Sequence, residues 1–168
     1  MPLHGSSFSQ TEFPNPLDRV EDLMFDSDLQ IARTDDQELV LSYPGLWTTH
    51  HIYMAWHRDA QLLHLSCGLD MHVRGGQRAK IDELISIVNQ RLIVGHFEVC
   101  AESKCISFRH GLLLRGQGSV STEQIEDLVD ITVNEADRFY PAFQWVMWGN
   151  REPAEALEAS LLDTVGEA

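Results

Sequence analysis

The sequence contains few basic residues. Lys and Arg make up only 12 of its 168 residues, against 26 Asp and Glu, so the formal net charge is −14. Nucleic-acid phosphates and anionic membrane surfaces both attract clustered Lys and Arg. The charge therefore argues against nucleic acid and membrane as direct partners. It leaves another protein as the expected partner, and favours a basic one.

Long apolar runs and cysteine are also scarce. No stretch approaches the roughly 20 consecutive apolar residues that a membrane-spanning helix needs. The first segment, MPLHGSSFSQTEFPN, lacks the cationic start and apolar centre of a secretory signal peptide. Three cysteines in a chain without an export signal predict a reducing, cytoplasmic setting rather than a disulfide framework.

Length and apolar content together predict one folded domain. A chain of 168 residues, 43% of them hydrophobic, has ordinary single-domain size and is too apolar to be disordered. We expect residues 1–14 to form a flexible N-terminal tail and residues 15–166 to form a single domain.

The order of the periodic segments predicts the fold class. Asn15 and Pro16 suit the N-cap and first position of a helix that ends near Asp26. Two strand-like runs follow, joined at the turn-prone pair Asp35-Asp36. Two hairpins with a helix between them, and two C-terminal helices, complete the chain. Tight hairpins without βαβ alternation predict an α+β domain, an antiparallel sheet of about five to six strands flanked by helices.

The register of each hairpin follows from keeping its apolar residues on one face. The turns are predicted at Asp59-Ala60 and at Glu102-Ser103. The resulting pairs are Trp56 with Leu63, Met54 with Leu65, Ile52 with Cys67, Phe97 with Phe108, and Val99 with Ile106.

Helical periodicity predicts the remaining helices and the core. Ser121 and Gln124 have the spacing of a capping box at the start of a long helix, and Pro153 begins a short one. The predicted core consists of Leu23, Ile52, Met54, Trp56, Leu63, Leu65, Leu84, Val88, Phe97, Phe108, Leu128 and Phe139.

The segment RFYPAFQWVMWG, residues 138–149, concentrates aromatic residues at the end of the long helix. Phe139, Tyr140 and Phe143 continue its core-facing stripe. On the opposite, solvent side the periodicity places Asp130, Asn134, Asp137 and Arg138, and then Pro141, Trp145 and Trp148. A helix end that is apolar all round must be covered. The last helix, a second chain or a small molecule could each cover it.

We predict a protein-binding surface at this place. Tryptophan is enriched in interface hot spots, and a large apolar patch is rarely left bare on a monomer. Unless the last helix covers them fully, four residues would serve homodimer formation or client binding: Trp145, Trp148, Leu157 and Leu161. Three acids around them would favour a basic partner: Glu152, Glu155 and Glu158.

A histidine-bearing hairpin is the alternative site. His51, His57 and His64 would share the outer face of the first hairpin, and imidazoles can bind zinc. However, His64 would lie opposite Ala55 rather than another histidine, and no HxH or HExxH spacing occurs. These residues are therefore better interpreted as the polar, solvent-facing side of a hairpin.

Two cysteines of the second hairpin are a further candidate. Its register places Cys100 directly opposite Cys105 on the outer face, where oxidation would give a strained cross-strand disulfide. Neither cysteine has the sequence context of a catalytic nucleophile. Two small side chains on a strand are the better interpretation.

Six segments carry a resemblance to a known family. They are NPLDRVEDL, LSCGLDM, GHFEV, FRHGLLLRG, EQIEDLVDI and RFYPAFQWVMWG, in the family's order, from Asn15 nearly to the end of the chain. The sequence thus resembles the YbjN-like family of bacterial sensory-transduction regulators, in particular its alphaproteobacterial members. The resemblance implies the fold of the small acidic chaperones of type III secretion, which bind extended client segments and are often dimers. It supplies no catalytic residues, and a fold does not fix a function.

Residues and resemblance together predict a non-enzymatic, cytoplasmic protein-binding module that is regulatory or chaperone-like. No catalytic residue, cofactor or metal ligand is predicted. The alternative is a metal-binding protein or an enzyme that uses the histidine-bearing hairpin.

Overall fold

Strands and helices follow one another in the predicted order. The computed structural model describes residues 13–25, 27 and 29–163, without the side chain of residue 163. Its elements are α1 (Pro16–Met24), β1 (Gln30–Asp35), β2 (Glu38–Pro44), β3 (Thr49–His57), β4 (Leu62–His72), a 3-10 turn (Gly75–Gln77), α2 (Arg78–Asn89), β5 (His96–Val99), β6 (Cys105–Leu113), α3 (Thr122–Met147) and α4 (Pro153–Asp163).

The six strands form one antiparallel sheet in the order β1-β2-β3-β4-β6-β5. Helix α2 connects β4 to β5, and β6 then returns to lie beside β4, so the second hairpin extends the sheet formed by the first four strands. This arrangement confirms the predicted α+β class and its antiparallel sheet.

Both hairpins have the predicted registers. In the first, Trp56 lies opposite Leu63, and every other predicted pair is present as well. The turn between β3 and β4 is longer than the predicted two-residue loop and occupies residues 58–61. The pairing is nevertheless unchanged, because alternation fixes which face each side chain occupies.

Helices cover one face of the sheet. The strand residues of that face are buried with apolar residues of all four helices in one core. Every predicted core residue is buried except Leu23, which packs against the core but is only partly buried. Leu23 lies in the last turn of α1, at the margin of the helical layer. The opposite face of the sheet carries residues such as His51, Ser66 and Arg109.

Helix α3 begins with the predicted capping box. The Ser121 N–H donates to Gln124 Oε1 (3.0 Å), and the Gln124 N–H donates to Ser121 Oγ (3.2 Å). The helix then continues through Pro141 to Met147. The N-cap of α1 is Asn15, as predicted, with its side chain accepting from the Leu17 N–H.

The ends of the predicted domain stay predictions. The predicted tail, residues 1–14, falls largely on residues 1–12, and these lie outside the described part of the chain. Residues 164–166 of the predicted domain lie outside it as well.

Candidate functional site

Most of the aromatic segment belongs to the core. Phe139 and Phe143 are fully buried, and their ring centroids lie 5.8 Å and 5.2 Å from that of Phe97 on β5. Helix α4 packs against α3 and α2. The last helix therefore covers much of the surface that the apolar end of α3 would otherwise expose.

The four predicted binding residues occupy different environments. Leu157 is 2% exposed, and Leu161 and Trp145 are partly buried against the core. The Arg151 guanidinium lies 4.7 Å from the Trp145 ring centroid, a cation–π contact. Trp148, by contrast, is 64% exposed. Of these four, Trp148 is the residue that faces solvent, and a binding role for the group stays a prediction.

His51, His57 and His64 lie on the outer face of the sheet, and His64 hydrogen-bonds to a cation. Arg109 donates from Nε to His64 Nε2 (3.0 Å) and from its terminal nitrogen to Glu98 Oε1 (3.1 Å). Burial, and then the neighbouring Arg109 charge, lower the pKa of His64. One of the two ring nitrogens of His64, Nε2, thus accepts a guanidinium N–H rather than being free to bind a metal. Within the described residues, no group of three or more His, Cys, Asp or Glu side chains is arranged to hold a metal ion.

The two cysteines of the second hairpin are neighbours, as their register predicts. The Cys100 N–H donates to the Cys105 carbonyl (2.9 Å), and both thiols are free. Hydrogen bonding from Ser103 lowers the pKa of the Cys100 thiol. Cys67, in contrast, is buried in the core, and burial raises its pKa to about 12. A redox role for the pair stays untested.

A buried histidine–aspartate pair joins β3 to α3. His50 is fully buried and Asp137 is 6% exposed, with His50 Nε2 2.8 Å from Asp137 Oδ1. Asp137 Oδ2 also accepts the Leu46 backbone N–H (3.0 Å). Because the carboxylate can only accept, His50 donates from Nε2, and its Nδ1 has no partner among the described residues. The prediction that Asp137 faces solvent is therefore wrong.

The proline within α3 explains a third bond to the same residue. Pro141 lacks the N–H that would bond to the carbonyl four residues earlier, which is that of Asp137. The Trp47 indole Nε1–H donates to this carbonyl instead (3.0 Å). Asp137 thus accepts three hydrogen bonds, from His50, Leu46 and Trp47.

These bonds fix the β2–β3 loop, residues 45–48, against α3. The loop closes with a bond from the Gly45 N–H to the Thr48 carbonyl (2.9 Å). A Cβ on Gly45 would lie 2.4 Å from the His50 ring and 2.8 Å from Asp137 Oδ1. Only glycine lets the loop approach the pair this closely.

The fixed loop presents apolar side chains to solvent. Leu46 is 77% exposed and Trp47 is 51% exposed. Beside them lies an open groove of about 590 Å³ between the loop and α3. It is lined by Tyr43, Pro44, Gly45, Leu46, Val133, Asn134, Asp137 and Arg138. The arrangement can bind an apolar group, but the buried His50 cannot reach a substrate.

Sequence reasoning missed this site, although one indication was present. His50 has the same parity as Ile52 and Met54, so alternation along β3 places it on the core face. A histidine on a core face needs a hydrogen-bond partner. No sequence pattern identifies Asp137 as that partner, because the two residues are 87 positions apart in the chain.

The fold is that of an α+β domain whose antiparallel sheet carries helices on one face. The chain belongs to the YbjN family, described as "Putative bacterial sensory transduction regulator", whose model matches residues 16–145. The match confirms the resemblance to the family, whereas the alphaproteobacterial type stays a prediction.

A solved structure shares the fold. It is the crystal structure of YbjN from E. coli, itself described as a putative transcription regulator, with a TM-score of 0.52 at 13% identity. The superposition covers 88% of this chain and 93% of that one. At this identity the likeness shows the fold alone. A search of curated proteins gives no match. Within the described residues, no helix combines the length and apolarity needed to cross a membrane.

Proposed function

We propose that the protein is a non-enzymatic, cytoplasmic regulatory module that acts by binding another protein. The observation that carries this proposal is the exposure of two tryptophans, Trp148 by 64% and Trp47 by 51%. An indole is costly to leave in water, and tryptophan dominates the binding energy of many interfaces. Membership of a family of regulators supports the regulatory role.

The charge of the chain supports a basic protein as the partner. A net charge of −14 repels nucleic acid and anionic membranes, and it repels a second copy as well. Shortly after Trp148 in the chain, Glu152, Glu155 and Glu158 are all exposed, and the Glu152 carboxylate pairs with Lys80 Nζ (2.8 Å). A chaperone-like role would use the same surfaces on an extended client segment.

Cross-linked capture from the native cytoplasm tests this function. The wild-type chain and the double variant Trp47→Ala/Trp148→Ala are compared, with far-UV circular dichroism as the fold control. We expect the wild-type chain to capture a protein that also binds it when both are purified. The affinity of that protein for the double variant should be at least about 30-fold lower than for the wild type. A partner that binds both chains equally would contradict it.

Two further measurements decide the alternatives. Light scattering on wild-type protein distinguishes a homodimer, whose mass would fall to that of the monomer when Trp145 and Trp148 are replaced by alanine. Elemental analysis of protein purified without chelator tests the metal-binding alternative. Stoichiometric zinc that is lost with His57→Ala/His64→Ala would favour that alternative over a binding module.

A further inference from the structure

We propose that the β2–β3 loop and its groove form a docking site for a basic segment of a partner protein, anchored by one aliphatic or aromatic side chain. The proposal rests on the proposed function and adds the surface and the chemistry of the partner. It commits to this loop rather than to the surface at Trp148.

The first argument is the way the loop is held. Loops on a protein surface are usually mobile. They are also usually polar, because an apolar side chain exposed to water raises the free energy of the protein. Here Leu46 and Trp47 are exposed, yet two hydrogen bonds from the loop to Asp137 hold it against α3, and His50 on β3 donates a third bond to Asp137. Fixing an apolar surface before binding lowers the entropy lost when a partner docks. A loop that is held in place by hydrogen bonds and exposes apolar side chains is therefore suited to binding another protein.

The second argument is the shape beside the loop. Tyr43 and Pro44 form one wall of the groove, and Val133 and Asn134 of α3 form the other. A volume of about 590 Å³ is large enough for one bulky apolar side chain together with its backbone. The open groove thus fits a segment that lies across it and inserts a single anchor.

The third argument is charge. Asp127 and Asp130 are exposed on α3 and lie seven and four positions before Asn134, so the three residues share one helix face. The cation at the groove, Arg138, lies 3.5 Å from Glu135 and stacks on the Phe139 ring at 4.8 Å. An acidic stripe therefore leads into the groove.

The stripe also sets the expected spacing. Asp130 lies about 6 Å along the helix from Asn134, at a rise of about 1.5 Å per residue. A Lys or Arg of the partner would reach Asp130 or Asp127 from within about two helical turns of the anchor. A second copy of this chain fits less well, because each copy carries a net charge of −14.

Fluorescein-labelled peptides of twelve residues provide the probe. One series carries a central Leu or Phe with four Lys on one side. Matched series replace the four Lys by Glu, or the anchor by Ser. Binding is measured by fluorescence anisotropy at two salt concentrations, because exposed charge pairs are screened beyond about 10 Å at 0.1 M salt. The Trp47 indole resonance in ¹⁵N-labelled protein reports where the peptide binds.

The variants are chosen so that the fold is kept. Leu46→Ser removes the exposed side chain but keeps the backbone N–H that Asp137 accepts. Ile93→Ser is its matched control, because Ile93 is 99% exposed in another loop. Trp148→Phe tests the other exposed tryptophan, and Asp127→Asn/Asp130→Asn tests the stripe.

We expect the Lys-and-anchor peptide to bind and to shift the Trp47 indole resonance. Leu46→Ser should weaken binding at least about tenfold, whereas Ile93→Ser and Trp148→Phe should leave it unchanged. The Asp127→Asn/Asp130→Asn variant should weaken binding and reduce its salt dependence.

Two results would overturn the proposal while leaving the proposed function intact. One is a captured native partner whose affinity depends on Trp148 but not on Leu46. The other is peptide binding that Leu46→Ser and Ile93→Ser affect equally. If neither a peptide nor any native protein binds the wild type, the docking site and the proposed function both fail.

Discussion

His50 and His64 lie on opposite faces of the same sheet, and their partners have opposite charge. His50 is buried and donates to the Asp137 carboxylate, whereas His64 is half-buried and accepts from the Arg109 guanidinium. The proton of a neutral His50 is therefore on Nε2, and that of a neutral His64 is on Nδ1. The buried pair fixes a loop, whereas the outer pair lies on an open, polar surface.

The difference in burial and in partner shows that His50, rather than His64, holds distant parts of the structure together. Three histidines on the outer face attract attention in the sequence, because clustered imidazoles suggest a metal. His50, on the core face of the same hairpin, instead bonds to Asp137, the residue that also accepts from Leu46 and Trp47. Burial and a long-range partner mark an important polar residue better than local clustering does.

Removing the partner of each histidine should give the largest contrast. Asp137→Ala leaves the buried His50 and the Leu46 N–H without their acceptor and, with two hydrogen bonds to a charged group lost, should cost about 3–5 kcal/mol of unfolding free energy. Arg109→Ala removes a half-exposed ion pair, which solvent screens, and should cost about 0–1 kcal/mol. Urea unfolding measures both. Equal losses would show that the Asp137 pair has no special role, and Asp137→Asn, which keeps an acceptor oxygen, should lie between them.

Two glycines, one beside His50 and one on the outer face of the sheet, allow the next comparison, which is of the cost of adding a Cβ. Gly45→Ala places a Cβ against the His50 ring and Asp137 and should cost about 1–3 kcal/mol, as overpacking does. Gly68→Ala, beside His51 on the outer face, meets no atom within 4 Å and should not destabilise the protein. The difference in urea midpoint between these variants is the measurement. A midpoint unchanged by Gly45→Ala would mean that the loop can move away from His50.

Restoring an N–H in α3 should weaken the third bond to Asp137. Pro141→Ala supplies a helical donor for the Asp137 carbonyl, which then competes with the Trp47 indole. Exchange of the Trp47 indole proton should accelerate about fivefold, since a hydrogen bond contributes about 1 kcal/mol. Nuclear magnetic resonance measures this exchange, with the exposed Trp148 indole as the internal control. Unchanged Trp47 exchange would indicate that the carbonyl serves both donors.

The outer histidine should produce the smallest effect, a pH dependence. Burial, and then Arg109, lower the pKa of His64 below its usual 6.5. The unfolded chain therefore takes up this proton at a higher pH than the folded protein does. The stability that neutral His64 contributes is complete above pH 6.5 and is lost as the pH falls below it.

Two measurements check this sign. His64→Gln should reduce the fall in urea midpoint between pH 7.5 and pH 5, a window set by the usual His pKa of about 6.5. Part of the fall should remain, because burial also lowers the pKa of His110. Titration of the His64 ring in Arg109→Ala should show a pKa closer to the usual value. A His64 pKa above 6.5 in the wild type would reverse the prediction.

The strands, their pairing and the helix starts could be predicted, because each depends on residues that are close together in the chain. Alternation fixes the face of each residue, so the pairing of Met54 with Leu65 and of Phe97 with Phe108 followed from the sequence. The capping box at Ser121 and the helix start at Pro16 are likewise local. Such features need only residues that are close in the chain.

The fixed loop could not be predicted in the same way. Asp137 lies about 120° around α3 from Ile125, so helical periodicity alone assigned it, wrongly, to the solvent side. Its burial depends on Leu46, Trp47 and His50, which belong to a distant segment. Pro141 was visible in the sequence, but the donor for the carbonyl that it frees was not. Tertiary partners, rather than propensity, decide these positions.

The distance along the chain between the loop and Asp137 has a consequence for biosynthesis. The three bonded pairs are separated by 87, 90 and 91 residues. Because a chain is synthesised from its N-terminus, β2 and β3 leave the ribosome long before α3 does. A growing or truncated chain can pair these strands but cannot hold Leu46 and Trp47 in place. Only a chain in which α3 has been synthesised can therefore hold the β2–β3 loop in the fixed position seen here.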